Sequence, residues 1–321
     1  MPTKLYSRIA LWLGLVCLLT AAGCAAAGPY QYGRFHSDLA KTPSAEETGP
    51  TVEFGKPVKV LDCLASAVSF PEKIMGFNHR IGNHAVSLDT VAKLRAYLGA
   101  NDMADVAVYV NCYDPLAQWR RLQENKRVGA GWRYTLGTLT VVSYTLLPSR
   151  VLGGDYYNPY TNTLNIDSDV PAIAILEGAM AKIVHARKFP GTYATLAELP
   201  GFSLARRSMA LGDVLGYVRE RHDWETERQA YHVLYSQIGA ETAITASVVS
   251  PAWWAAPVFG AGGAAVGQVT GRLLAARRAA EIEAESADDA SLALDERPPP
   301  EDPETRPSEG VAVATLTEPP E

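Results

Sequence analysis

The feature that most constrains this fold is a stretch of 30 residues, Thr242 to Gly271, that contains no charged side chain. Three of its glycines recur at every fourth position: Gly263, Gly267 and Gly271. On a helix they would form one smooth stripe that lets a second helix approach closely. Two environments fit residues 251–276: a membrane, with Trp253 and Trp254 at its interface, or a buried helical hairpin within a domain. The pattern leaves both open.

The N-terminus has the order of a secretory signal. Residues 1–23 begin with Lys4 and Arg8, continue with an apolar run and end in small residues. Cys24 follows directly, and this arrangement resembles the lipobox of bacterial lipoproteins, in which the cysteine is acylated and becomes the first mature residue. We therefore expect an acyl anchor, of the palmitate type, on Cys24. The alternatives are cleavage after Ala27, which would release a soluble protein, and retention of the segment as an anchor.

Residues 24–56 are rich in Gly, Pro, Ser, Thr and Ala, which predicts a flexible tether between the lipid and the folded domain. Outside the signal and the acylated position, the remaining cysteines are Cys63 and Cys112. In an exported protein this pair either forms one disulfide or stays as two separate thiols.

The net charge of −6 is unevenly distributed along the chain. Residues 281–321 hold 13 acidic and 2 basic side chains, whereas residues 24–280 hold 22 acidic and 25 basic ones. The body is nearly neutral and has no concentrated basic block, which argues against nucleic acid as a ligand. The acidic, proline-rich residues 277–321 are predicted to be a disordered tail.

Residues 57–250 are predicted to form an α+β domain that is mostly helical after residue 170. Apolar spacing predicts a helix over Leu88–Leu98 with Ser87 as its cap, and alternation predicts a strand over Asp105–Asn111. Trp132–Leu147 fits either a helix or a strand. Further helices are predicted near residues 116–126, 170–188, 204–221 and from 224 onwards, the second with Pro171 in its first turn and Ser168 or Asp169 as its cap.

One stretch resembles a known family. The run Gly153-Gly-Asp-Tyr-Tyr-Asn-Pro-Tyr-Thr-Asn-Thr-Leu-Asn-Ile166 and the helix after it look like the active-site region of bacterial zincin-like envelope proteins, whose helix carries His-Glu-x-x-His. In that motif two histidines on one helix face bind zinc, and the glutamate activates the metal-bound water. Here the corresponding residues are Leu176, Glu177 and Met180, so both histidine positions are apolar.

The same resemblance places the third metal ligand at Arg207, a cation. It implies a zincin-like fold whose motif has degenerated, with no bound metal and no cofactor, and with Glu177 as the remaining catalytic-type residue. An ion pair between Arg207 and Glu177 would replace the charge of the metal. The resemblance also implies that peptides bind along an edge strand, at Tyr160, Thr161, Asn162 and Thr163.

Other residues offer weaker metal ligands. His185 lies eight positions after Glu177, about 80° round the helix, which is unsuitable for a shared metal. Two further histidines, His222 and His232, are expected in a surface turn and on a helix face. Glu225 and Glu227 lie close by in sequence, and His79 and His84 lie in a polar loop.

The leading interpretation is a non-catalytic lipoprotein of the cell envelope that binds or scaffolds an envelope protein or peptide. It faces the periplasm or the exterior and is held by its lipid, with residues 251–276 as a second possible membrane contact. One alternative is an active zinc metallopeptidase or other hydrolase with relocated ligands. The other is a structural membrane protein that associates through its glycine stripe.

Overall fold

The computed structural model describes residues 30–33, 49–56, 65, 68–146, 154–199, 201–247 and 255–295, with side chains of the last helix as far as 288. The predicted signal sequence, Cys24 and Cys63 lie outside these residues, so the signal, the acylation and the pairing of Cys63 with Cys112 stay predictions. By its internal contacts the chain divides into two units, residues 1–276 and 277–321.

A four-stranded sheet lies at the centre of the first unit. Its strands are β1 (Val52–Phe54), β2 (Ala107–Val110), β3 (Tyr156–Asn158) and β4 (Thr163–Ile166), in the spatial order β1-β2-β4-β3. The first two strands and β4 are parallel, whereas β3 runs antiparallel to β4 along one edge. Alternate residues of β2 and β4 point into the main core, among them Val108 and Leu164, while Ala107 and Tyr109 face a smaller cluster on the other side.

The predicted tether over residues 24–56 is too long. Val52 pairs with Val108 and Phe54 with Val110, so the chain has already entered the sheet before residue 56. Tyr30 also packs against the main core. A strand of three residues is too short for its alternation to stand out in sequence, which explains the error.

Helices cover both faces of the sheet. Those before β3 are α1 (Phe70–Met75), α2 (Leu88–Ala100), α3 (Pro115–Glu124), α4 (Ala130–Trp132) and α5 (Thr138–Leu146), with a π-helical turn, Arg133–Gly137, between the last two. Residues 132–146, which fitted helix or strand, are therefore helical. Ser87 caps α2 as predicted, since its hydroxyl accepts a hydrogen bond from the Thr90 amide at 3.2 Å.

The centre of the helical layer is α6 (Pro171–His185), whose every residue is buried. It packs mainly against α2 and against α8 (Phe202–Glu220). Pro171 occupies its first turn as predicted, but the predicted side-chain cap is wrong, because Val170 holds the cap position. Asp169 instead accepts hydrogen bonds from the Ser87 amide and the Thr90 hydroxyl.

The remaining helices complete the body. These are α7 (Pro190–Ala197), α9 (Trp224–Gln229), α10 (Tyr235–Ser247) and α11 (Ala255–Asp295), with a second π-helical turn, Ala230–Leu234, before α10. The mixed α+β class with mainly helical structure after residue 170 is confirmed.

The glycine stripe packs within the first unit. A Cβ atom on Gly263 would overlap the backbone oxygen of Gly239, one on Gly267 that of Tyr235, and one on Gly271 that of Tyr231. The uncharged segment therefore uses its stripe to approach α10 and the turn before it. None of the described helices combines the length and the apolar character that crossing a bilayer requires.

The second unit begins at Arg277, where the tail was expected to start. Helix α11 nevertheless continues to Asp295, so the prediction of disorder is wrong for residues 277–295. Arg278 pairs with Glu281 at 3.3 Å and with Glu285 at 3.2 Å. Such pairs of opposite charge, one turn or two apart, support a solvated helix.

Candidate functional site

A cavity of about 620 Å³ opens between β3, α5, α6 and the α7–α8 region. Its wall along β3 runs from Tyr156 to Tyr160, and Leu136 and Leu139 face it from the helical segment opposite. Most of its lining is apolar, and a few charged groups converge at one end, as is common in ligand sites. Those charged groups are Glu177, Glu198, Arg206 and Arg207.

Glu177 lies in the wall of this cavity and is almost fully buried. Its Oε2 accepts a hydrogen bond from the backbone amide of Tyr157, in edge strand β3, at 2.9 Å. Burial raises the pKa of Glu177, while the charge of Arg207 and the Tyr157 amide act in the opposite direction. The carboxylate therefore joins α6 to the edge strand.

Arg207 lines the same cavity, but the predicted ion pair with Glu177 is wrong. Its Nε lies 2.9 Å from Glu241 Oε2, on α10, and no ion pair within 4.0 Å joins it to Glu177. The Glu241 side chain is 25% exposed, whereas Glu177 is almost fully buried. Removing the guanidinium from water therefore costs less when it pairs with Glu241 than it would at Glu177. Arg207 still acts on Glu177 at longer range, through the effect on its pKa.

The two positions that the resemblance aligns with zinc-binding histidines differ in their surroundings. Met180 lines the cavity beside Glu177, whereas Leu176 is fully buried in the main core. Across the described ranges, no set of three or more His, Cys, Asp or Glu side chains is arranged to hold a metal ion.

The predicted peptide-binding residues are not at the edge of the sheet. Tyr160, Thr161 and Asn162 form the turn between β3 and β4, and Thr163 begins β4, which is paired on both sides. All four are buried. The described sheet has two edge strands, β1 and β3, and the one next to these residues is β3, which ends at Asn158, before the predicted residues begin.

The histidines considered as ligands have other roles. His185 Nε2 lies 2.8 Å from Asn162 Oδ1, in the β3–β4 turn, and 3.1 Å from the Tyr157 hydroxyl, so its ring stabilises that turn. His222 is in an exposed turn, as expected. Burial and the charge of Arg272 lower the pKa of His232.

Of the nearby glutamates, Glu225 is exposed and Glu227 is buried, with its carboxylate 2.8 Å from Arg219 Nε. In the polar loop, His79 is exposed, whereas His84 Nδ1 lies 3.6 Å from Asp167 Oδ1.

No local pattern in the sequence indicates the carboxyl pair near that loop, Asp155 and Asp167. Asp155 Oδ1 accepts hydrogen bonds from the amides of Asp167 and Ser168 at 2.7 and 3.0 Å. Removal from water, and then the charge of Asp167, raise the pKa of Asp155 to about 7.

Asp155 predicts a pH-dependent stability. Its folded pKa exceeds the unfolded value of about 3.9, so the folded state binds the additional proton. Its stabilising contribution is full below about pH 4 and is lost as pH rises to about 7, with a slope of at most about 1.4 kcal/mol per pH unit. Urea unfolding between pH 4 and 8 should show this slope in the wild type and a flatter profile in Asp155→Asn. The exposed Asp89→Asn should keep the wild-type slope, and an unchanged slope in Asp155→Asn would contradict the assignment.

A second cluster of polar groups, which the sequence analysis does not predict, surrounds Lys182 on α6. Its Nζ is fully buried and contacts Asp213 Oδ1 at 2.6 Å, the Tyr30 hydroxyl at 2.9 Å and the carbonyl oxygen of Gln31 at 2.7 Å. The hydroxyls of Tyr30 and Tyr97 donate to the other oxygen of Asp213. The N-terminal segment Tyr30–Gly33 thus completes the coordination of a buried charge.

Comparison with known proteins adds no assignment. The chain matches no protein-family model, and no curated protein and no solved structure matches it significantly.

Proposed function

We propose that this protein is a non-catalytic binding protein of the cell envelope, anchored by acyl chains on Cys24, whose cavity over Glu177 holds an extended peptide. One observation carries the proposal. Glu177, Met180 and Arg207, three of the positions that zincin-like proteins use for chemistry, line one cavity of about 620 Å³. The carboxylate among them is hydrogen-bonded to the edge strand.

The electrostatics favour binding over catalysis. A general base must reach a water molecule or a substrate proton, whereas one oxygen of Glu177 already accepts the Tyr157 amide. The position that the resemblance assigns to the third metal ligand is Arg207, whose guanidinium pairs with Glu241. Two positive side chains near the glutamate oppose the binding of a metal cation.

The cavity walls favour a peptide with an apolar side chain. An apolar part of the cavity is lined by Leu136, Leu139 and Met180 and could hold one apolar side chain. The wall formed by β3 is itself extended, so an extended peptide could lie alongside it. The polar end, with Arg206 beside Glu198 at 2.9 Å, can hydrogen-bond main-chain groups. The Tyr157 amide donates to Glu177 and is therefore not available to a bound peptide strand. We expect contacts with the peptide side chains to supply more of the affinity than main-chain hydrogen bonds to β3.

The test is selection from a random octapeptide library on the immobilised full-length chain, followed by measurement of Kd for the selected peptides. Ser143→Trp, which fills the cavity from α5, should weaken binding at least about tenfold, or about 1.4 kcal/mol. Val142→Trp, on the same helix but outside the lining, is the matched control and should leave Kd within about twofold. Equal weakening by both variants, or no enriched peptide, would reject the peptide site. Stoichiometric zinc that is lost in Glu177→Ala would reject the non-catalytic role.

A further inference from the structure

The segment Tyr30–Gly33 is attached to the body by several independent contacts. The Tyr30 hydroxyl lies 3.0 Å from Asp213 Oδ2 and 3.1 Å from Asn101 Oδ1, donates its one proton to either of these acceptors, and accepts from Lys182. Lys182 Nζ also lies 4.3 Å from the centre of the Tyr30 ring. The ring contacts Tyr217 edge-on, with 5.5 Å between the ring centres. Because Lys182 is buried, releasing this segment would leave its charge without two of its hydrogen-bond acceptors.

This attachment shortens the distance between the anchor and the body. Six Cα–Cα steps separate Cys24 from Tyr30, and at no more than about 3.6 Å each they reach at most about 22 Å. A tether running to residue 49 would reach about 90 Å by the same rule. A folded body of about 220 residues has a diameter of about 45 Å. If the far side of the body faced the membrane, Tyr30 would lie about 45 Å above the lipid. The link from Cys24 reaches only about 22 Å, so that orientation is excluded.

From these distances we infer that the surface around Tyr30 and Tyr32 faces the membrane and that the peptide cavity opens away from it. The inference rests on the acyl anchor in the proposed function. The Tyr32 side chain is 49% exposed and its ring lies beside that of Tyr30, with 4.8 Å between centres. Tyrosine suits the head-group region because it combines an apolar ring with a polar end.

The orientation of the cavity follows from helix geometry. Glu177 and Lys182 are five residues apart on α6, so they project about 140° apart around its axis. Lys182 holds the membrane-proximal segment, and Glu177 lines the cavity. The cavity therefore receives a ligand that approaches from the aqueous side, which favours a soluble peptide over a lipid.

The test uses the full-length acylated chain in vesicles of phosphatidylethanolamine and phosphatidylglycerol that contain a head-group nitroxide lipid. A fluorescent coumarin amino acid is introduced by codon suppression at position 32 or, as the matched control, at position 139 on the exposed rim of the cavity. The nitroxide should quench position 32 severalfold more strongly than position 139. In a second variant, about 25 Gly/Ser residues are inserted between Ala27 and Gly28, and the two positions should then be quenched equally.

The outcomes separate this inference from the binding function. Equal quenching at both positions in the unmodified chain, or stronger quenching at position 139, would overturn the orientation. A mass spectrum of the N-terminal peptide without acyl groups would overturn the orientation and the anchor together. Failure of the peptide selection would reject the cavity function and leave the orientation standing.

Discussion

Asp213→Ala is expected to lower the free energy of unfolding by about 3–5 kcal/mol, the cost of leaving a buried charge without its partner. Lys182 is fully buried, and Asp213 Oδ1 is its nearest acceptor at 2.6 Å. Burial lowers the pKa of Lys182, and the charge of Asp213 opposes this effect. The variant also removes the acceptor for Tyr30 and Tyr97. Urea unfolding of the full-length protein measures the loss.

A double-mutant cycle distinguishes the ion pair from simple loss of packing. Lys182→Met should cost less than Asp213→Ala, because the Asp213 carboxylate is 13% exposed and keeps two hydroxyl donors, and methionine fills most of the space of the lysine stem. The double variant should cost less than the sum of the two, since it leaves no unpaired charge. Glu198→Ala removes a pair whose carboxylate is 65% exposed and should cost at most about 1 kcal/mol. A loss below that value in Asp213→Ala would contradict the assigned role of the pair.

The parts of this fold that are encoded locally could be predicted. Ser87 caps α2, Pro171 opens α6 and the apolar spacing of residues 88–98 lies on a helix, because each signal depends on residues within one or two turns. Glu177, Met180 and Arg207 line one cavity, whereas Leu176 lies in the main core, and the family resemblance itself stays a prediction.

The long-range parts could not be predicted, for a physical reason. Lys182 contacts Tyr30 across 152 positions and Asp213 across 31, and no local pattern encodes such pairs. One signal was present: a lysine within the otherwise apolar Gly178–Val184 segment must be paired if the helix is buried. Likewise, Arg207 was matched with Glu177 by alignment alone, whereas Glu241 on a later helix lies closer.

Composition misled the prediction at residues 277–295. Averaged over residues 277–321, the proline and acidic content indicates disorder. The prolines, however, begin only at Pro298, and the preceding part is rich in alanine and glutamate, which are strong helix formers. A shorter window would have separated the helical part from the proline-rich part.

Gly263→Ala should destabilise the protein by about 1–3 kcal/mol, the usual cost of forcing an added atom into a packed contact, and Gly262→Ala should stabilise it by about 0.5–1 kcal/mol. These two glycines are adjacent on α11, but Gly263 faces α10 and Gly262 faces open space. A Cβ at position 263 would overlap the Gly239 oxygen and approach Ala243 Cβ to 2.6 Å, whereas a Cβ at position 262 meets nothing within 4 Å. Because the obstacle is backbone, α11 would have to move away from α10. At the open position only the higher helix propensity of alanine acts.

The pair also tests whether the stripe serves the fold or an association between chains. Both variants should be compared by thermal and urea unfolding of the full-length protein, with sedimentation velocity in detergent as the measure of association. If the stripe packs on α10, Gly263→Ala and Gly267→Ala lower stability without changing the sedimentation coefficient. Dissociation of an oligomer at unchanged stability would instead mean that the stripe faces a second chain. Alanine at Gly262 keeps the same composition and helix, so it isolates the contact with Gly239 as the cause.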